Sequence, residues 1–356
     1  MEIGRRGFLG VAAGAAVSSC AGLPGPTDTP EPEGTLGIAS AANPHVFPLL
    51  LAMSFDPALP VRLIPIRESV DAEPLFRRGE AGAMLAMTYA GARKQASGAI
   101  PDLRLHSVTT WRGFFEVVPE GVRDFRDLRG KTVIVSGPMV SGRNGGGDII
   151  FQAAARRQGV VPGRDLEVEY MPAWQGVARV AAGKASGITI PSPGSTGMIM
   201  RSRMGGRFGT VGASGDTSAS PVRLGSIDFQ RIFKGFSSFP GGQLPLGGLH
   251  ASDRVMSSVS GGAGLDRVAQ AYARAVDALM RHPERHASAI VEAYERHFRP
   301  LGAKAPPAML LSRSIAAGDL IYRSDITLAA IKSDLAAWLG ELVGKMPDPA
   351  FLRSDF

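Results

Sequence analysis

Short apolar runs alternate with amphipathic stretches along most of this chain, and the alternation occurs twice. In the first block the pattern predicts strands over 36–39, 61–66 and 83–87, with helices over 47–53, 72–77 and 89–95 between them. In the second it predicts strands over 132–135, 166–170 and 187–190, and helices over 148–157, 176–182 and from about Thr196. Strand and helix in strict alternation predict a parallel sheet flanked by helices, so two such blocks predict two similar α/β lobes. Between them lies 103–118, whose β-branched and aromatic character is strand-like but whose length exceeds one ordinary strand. It suits a crossover from one lobe to the other, with 246–251 as the return crossing.

The remainder is helical. Val268, Ala269, Tyr272, Val276, Leu279 and Met280 keep helical spacing on one face, and 287–294 and 326–342 look similar. The Gly/Ser/Thr-rich stretch 205–222 reads as a loop. The expected organisation is a leader over 1–19, a tether over 20–34, a first lobe from 35–110 and 247–356, and a second lobe from 111–246.

The leader has the pattern of an export signal. Arg5 and Arg6 precede an apolar stretch over 8–17, too short to span a bilayer, which closes on Val17-Ser18-Ser19-Cys20. Arg5-Arg6-Gly7-Phe8-Leu9 resembles a twin-arginine signal, although Gly4 and Gly10 stand where Ser or Thr and Lys are usual, and Sec export stays open. Val17-Ser18-Ser19-Cys20 resembles a lipobox, whose cysteine is acylated and becomes the mature N-terminus. The alternative is a plain cleaved signal with an incidental cysteine. Cys20 is the single cysteine of the chain, which excludes an internal disulfide in an oxidising compartment. Pro24, Pro26, Pro30 and Pro32 mark the tether. The expected location is therefore outside the cytoplasm, held to a membrane by lipidated Cys20.

Composition narrows the partners. The chain has 356 residues and a net charge of +7; removal of 1–19 takes away Arg5, Arg6 and Glu2 and leaves +6. The excess is dispersed, as in Arg123-Asp124-Phe125-Arg126-Asp127, with no basic stripe and no interleaved aromatics, so no nucleic-acid partner is expected. No Cys-x-x-Cys, His-Glu-x-x-His or Gly-x-Ser-x-Gly is present, and nothing assembles a nucleophile, base and orienter. His282, His286 and His297 are better read as part of a solvated helix start at Pro283 than as metal ligands. No metal, no cofactor and no catalytic residue are expected.

Several segments resemble the periplasmic solute-binding proteins of ABC importers, in the branch that binds nitrate, taurine, sulfonates and thiamin precursors. Asp127-Leu128-Arg129-Gly130-Lys131-Thr132-Val133-Ile134-Val135 is similar to that family's entry into its second domain. Ala181-Ala182-Gly183-Lys184-Ala185-Ser186-Gly187 with Pro191-Ser192-Pro193 is similar to a later segment, Phe76-Arg77-Arg78-Gly79-Glu80-Ala81-Gly82-Ala83 echoes it in the first block, and Arg281-His282-Pro283-Glu284 resembles a helix start. Ser186-Gly187 replaces a common aspartate and Ser192 a common glutamate, so the ligand class does not carry over. The resemblance implies a two-lobed fold with a double-crossover hinge, a monomer that captures a small polar or anionic molecule between its lobes, and ABC permease subunits as partners. A ligand-sensing lipoprotein and an enzyme on the same fold are the rival readings; the pyrimidine-synthesising relatives need a cysteine cluster that is absent here.

The richest chemical segment is 136–147, Gly-rich, after a strand and before a helix. Free backbone N–H groups there favour an anionic or polar group, with Ser136, Ser141, Gly142, Arg143 and Asn144 as the candidate contacts; the alternative is a surface loop with Arg143 in solvent. A phosphate-binding P-loop fits poorly, because Arg143-Asn144 replace its Lys-Ser/Thr pair. Other strand ends point to the same cleft: Ser40 and Asn43, Thr88 and Tyr89, Trp174 and Gln175, and Ser192, each of which also suits a cap or turn. Trp111, near the crossover, serves either as an aromatic wall or as a buried tryptophan at the joint.

Overall fold

The computed structural model describes residues 34–137, 142–204, 222–345 and 347–352, and Gly34–Phe356 form one compact unit. Cys20, Arg5, Arg6, the leader, the tether up to residue 33, Ser141 and nearly all of the 205–222 stretch lie outside the described residues.

The first alternating block folds as β1 (Leu36–Ala41), α1 (Phe47–Phe55), β2 (Val61–Ile66), α2 (Ala72–Arg78), β3 (Ala83–Met87) and α3 (Thr88–Ala96). The long strand-like segment is divided at Gly113 into β4 (Leu103–Arg112) and β5 (Phe114–Pro119). The second block continues as β6 (Thr132–Gly137), α4 (Gly146–Arg157), β7 (Glu167–Pro172), α5 (Ala173–Ala181), β8 (Gly187–Pro191) and α6 (Gly194–Arg203). Then come β9 (Leu224–Asp228), α7 (Phe229–Ile232), β10 (Gly247–Ser252), α8 (Asp253–Ser257), α9 (Val259–Arg281), α10 (Pro283–Phe298), α11 (Ala308–Ala316), β11 (Ile321–Tyr322) and α12 (Leu328–Val343).

Two sheets result, in the orders β11-β4-β10-β3-β1-β2 and β7-β6-β8-β5-β9. Strands β1, β2 and β3 are parallel, and β4, antiparallel to β10 as β3 is, shares their direction. In the second sheet β6, β7 and β8 are parallel, and β9 points the same way because it and β8 both run antiparallel to β5. Four strands of each sheet thus share a direction, which is the two-lobed, mainly parallel architecture that the alternation implies.

The crossover at 103–118 is present, and Gly113 is its joint: a Cβ there would stand 3.0 Å from Leu320 Cδ1. The return differs from expectation. Residues 247–252 form β10, wholly inside the first sheet, while 229–246 make the passage back from β9. The apolar run of β10 reads like a crossing because it is buried on both faces, paired with β3 and β4. The two crossings are tied side by side, Arg112 to Asp228 at 2.7 Å and Gln230 Nε2 to the Trp111 carbonyl at 2.8 Å.

Helix α9 realises the predicted stripe. Val268, Tyr272, Val276 and Leu279 are buried against α1 and α10, with Met280 packed at the edge of the same core. Each fully buried aliphatic side chain contributes about 1.5–3 kcal/mol, so this face holds the helix in place. A second core joins the sheets: Trp111, Phe125, Val135, Phe151 and Trp338 belong to one cluster. Helix α12 packs on both α3 and α4, bracing the lobes near the crossings. Among the described residues no helix is long and apolar enough to cross a membrane.

Candidate functional site

Parallel strands end on the same edge of their sheet, so the turns after them open onto one shared space. Ala41, Ile66 and Met87, the last residues of β1, β2 and β3, line one cavity with Gly137 and Pro191, the last residues of β6 and β8, and with Ala173, just after β7. The cavity has a volume of about 760 Å³. Its wall is largely apolar, including Phe47, Met84, Phe114, Ile190 and Leu310.

Charge is added around the apolar wall. Arg67, Arg93, Lys94, Arg143 and Lys304 line the cavity, against the carboxylates of Glu68 and Glu73. Lys94 is paired with Glu73 at 2.8 Å. Burial, with Asp71 adding to it, raises the pKa of Glu68 above the usual carboxylate value. The remaining cations leave the cleft electropositive. Glu116, fully buried and outside the cavity lining, has its pKa pushed far up by burial, against the opposing effect of the Thr189 hydroxyl that donates to it.

The 142–147 turn is built for close approach. Gly142 has φ +74°, and a Cβ on it would lie 2.7 Å from both Gly137 N and Ser136 C, so no side chain fits. Asn144 also has positive φ, 59°, and its N–H donates to Asp148 Oδ2 at 2.8 Å. Gly146 and Gly147 open α4 and line the cavity; first-turn N–H groups have no intrahelical acceptor. The Arg143 guanidinium lies 4.4 Å over the Tyr170 ring and has no carboxylate partner among the described residues. Tyr170 itself donates to Asp148 at 3.0 Å.

On the first lobe, His45 fills the wall between β3 and β4. Its Nε2 lies 2.7 Å from Met87 Sδ and its Nδ1 2.9 Å from Thr110 Oγ1. A thioether only accepts, so the ring proton sits on Nε2 and Nδ1 accepts from the hydroxyl. Burial, then the neighbouring His250, lowers its pKa to about 3, so the ring is neutral. Tyr272 and Tyr322 donate to the carbonyls of His45 and Pro44 at 2.8 and 2.7 Å and fix this turn.

Of the residues predicted from sequence, Asn43, Ser136, Gly142, Arg143, Asn144 and Ser192 line the cavity. Several are also engaged locally. Asn43 accepts from His45 N at 3.0 Å as a turn cap, the Ser136 hydroxyl donates to the Thr189 carbonyl at 2.7 Å, and Ser192 is 2.9 Å from Ser195 and 3.1 Å from Thr196. Others are placed elsewhere. Ser40 is buried, with its hydroxyl on the Ala41 carbonyl, and Thr88 donates to the Pro245 carbonyl at 2.5 Å. Tyr89 is buried against Trp338 and donates to the Gly146 carbonyl at 2.9 Å. Trp111 is the buried tryptophan of the joint, edge-on to Phe239, and is not an aromatic wall. Trp174 and Gln175 are exposed on α5. These residues leave the cavity because strand and helix periodicity turns each into the core or out to solvent.

Sequence reasoning missed Arg67, Arg93, Lys304, His45 and Phe114. Arg93 was within reach: Ala90, Arg93, Lys94 and Ser97 keep helical spacing, and all four line the cavity. Lys304, in the loop between α10 and α11, carries no local signal.

Comparison with known proteins agrees at the level of fold. No protein-family model matches the sequence, and no curated protein does. Among solved structures, the periplasmic aliphatic sulphonate binding protein SsuA from Escherichia coli is similar with TM-score 0.61 at 14% identity, covering 89% of this chain and 86% of that one. An ABC transporter from Parabacteroides distasonis has TM-score 0.61 at 14% identity, covering 91% and 100%. The alkanesulfonate-binding protein SsuA from Xanthomonas axonopodis pv. citri, bound to MOPS, has TM-score 0.56 at 16% identity, covering 91% and 98%. The chain thus has the two-lobed α/β fold that these binding proteins share.

Proposed function

We propose that this protein is the lipid-anchored, extracytoplasmic solute-binding component of an ABC importer. It captures a small organic anion with an apolar body between its lobes, hands it to a membrane permease, and performs no chemistry. The observation that carries this reading is the convergence of six strand ends on one cavity that is apolar in its wall and cationic at its rim. The apolar wall takes the ligand's body. Arg143 and the first-turn N–H groups of α4 take its charge. The fold neighbours that bind sulfonates support an anionic head of that kind.

The test is calorimetric titration with 1-octanesulfonate and 1-octanoate of the wild type and of Arg143→Ala. A charge-assisted contact is worth about 1.5–3 kcal/mol, so Arg143→Ala is expected to weaken binding by about one to two orders of magnitude. The melting temperature of the unliganded protein should change little, since among the described residues the guanidinium meets only the Tyr170 ring. Wild-type affinity in the variant would move the charge site away from Arg143.

A further inference from the structure

Trp174 and Val70 stand at matching corners of the two lobes. Trp174 is 72% exposed and Val70 52%, and Trp174 is the one exposed aromatic next to a cavity-lining residue among the described residues. Val70 itself lines the cleft, as does Ala173 beside Trp174.

Topology sets where these corners lie relative to the hinge. The lobes are joined through β4 and β5 at Gly113. In the first sheet β2 is the strand farthest from β4 on that side, and Val70 comes after it; in the second, β7 is the strand farthest from β5 on that side, and Trp174 comes after it. Three strand spacings separate β5 from β7, about 14 Å. About a hinge axis running along β5, a rotation of about 15–20°, the scale of rigid-body transitions, moves the β7 corner by about 4–5 Å, more than any strand end nearer the crossing.

Helix α5 cannot yield independently. Gly176 seats it so closely on the sheet that a Cβ would stand 2.7 Å from Ile188 Cδ1 and 2.9 Å from Ile134 Cγ2, and Val180 is buried beneath it. The indole therefore travels with its lobe. On the reading of the cleft as the ligand site, we infer that Trp174 is the outer jaw of the cleft: lobe closure brings its indole down on the apolar body of the captured anion, opposite Val70. Length selection is the consequence, because a long anion reaches the jaw and a short one does not.

The chain reports on this directly. Of its three tryptophans, Trp111 and Trp338 are wholly buried, so acrylamide quenching reads Trp174. Saturation with 1-octanesulfonate, which is optically silent, should cut the quenching constant at least about three-fold and shift the emission to the blue, and Trp174→Phe should remove most of the quenchable signal. Burial of one indole supports an affinity loss of about ten-fold for Trp174→Ala with octanesulfonate. Trp174→Phe should stay near wild type, and methanesulfonate affinity should be the same in all three proteins. If octanesulfonate binds with an affinity that depends on Arg143 but neither quenching nor the Trp174→Ala affinity changes, the jaw is wrong and the cleft reading stands. If octanesulfonate does not bind the wild type, both fall.

Discussion

Gly247→Ala is a severe test of how the first-lobe wall is built. Gly247 opens β10 and pairs with Met87 of β3 on one side and Thr110 of β4 on the other. His45 bridges those same two residues, so its ring lies directly over Gly247: an added Cβ would be 2.1 Å from Nδ1, 2.3 Å from Cε1 and 2.7 Å from Cγ. Contact distances near 3.5 Å require the ring to move by about 1 Å or more. It is not free to do so, with Thr110 at 2.9 Å and Met87 at 2.7 Å. Losing the Thr110 bond inside the protein costs about 1–3 kcal/mol, and overpacking about as much again. The lower unfolded-chain entropy of alanine returns about 0.4–1 kcal/mol. The net expectation is a destabilisation of about 2–4 kcal/mol, read as a lower urea midpoint with an unchanged slope in far-ultraviolet circular dichroism. His45→Ala should relieve the clash, so Gly247→Ala with His45→Ala should be less damaging than the two single costs summed, by about 1 kcal/mol or more. A Gly247→Ala protein within about 0.5 kcal/mol of wild type, or strictly additive variants, would refute the packing argument.

Charge and the leader each give a further expected outcome. Burial holds His45 at about 3 and His250 at about 4, below the ordinary 6.5, so the unfolded chain takes up these protons first. Stability is then fully present above about pH 6.5 and is lost as pH falls toward 4, by up to about 1.4 kcal/mol per pH unit for each ring; urea titrations from pH 8 to 4 should show it, with a shallower fall in His45→Gln. Cys20→Ala should release exported protein from the membrane fraction, and an unchanged fraction would count against the lipid anchor.

Much of the architecture was written in local pattern. Alternating apolar runs predicted β1 to β3 and β6 to β8 within a few residues, because a strand buried on both faces and a helix buried on one leave different periods in sequence. The stripe on α9 was legible for the same reason. The 136–147 turn was recognisable from its glycines, and Gly142 shows why: at φ +74°, against backbone atoms at 2.7 Å, no other residue fits.

Tertiary structure alone decided which polar residues face the cleft. Strand β10 carries the same apolar signature whether it crosses between lobes or sits between β3 and β4, since hydropathy records burial and not the identity of neighbours. Ser40, Thr88 and Tyr89 stand at or just past strand ends as Asn43 and Ser192 do, yet their hydroxyls turn to nearby carbonyls, a choice made by one step of backbone direction that residue type does not encode. Trp111 is equally apolar as a wall or as a core residue. Arg93 and Lys304, more than 200 residues apart, contribute to one positive rim only because the second crossing brings the chain back to the first lobe. Local sequence specifies elements through short-range sterics and burial; the site is a property of strand order, which depends on contacts between residues far apart in the chain.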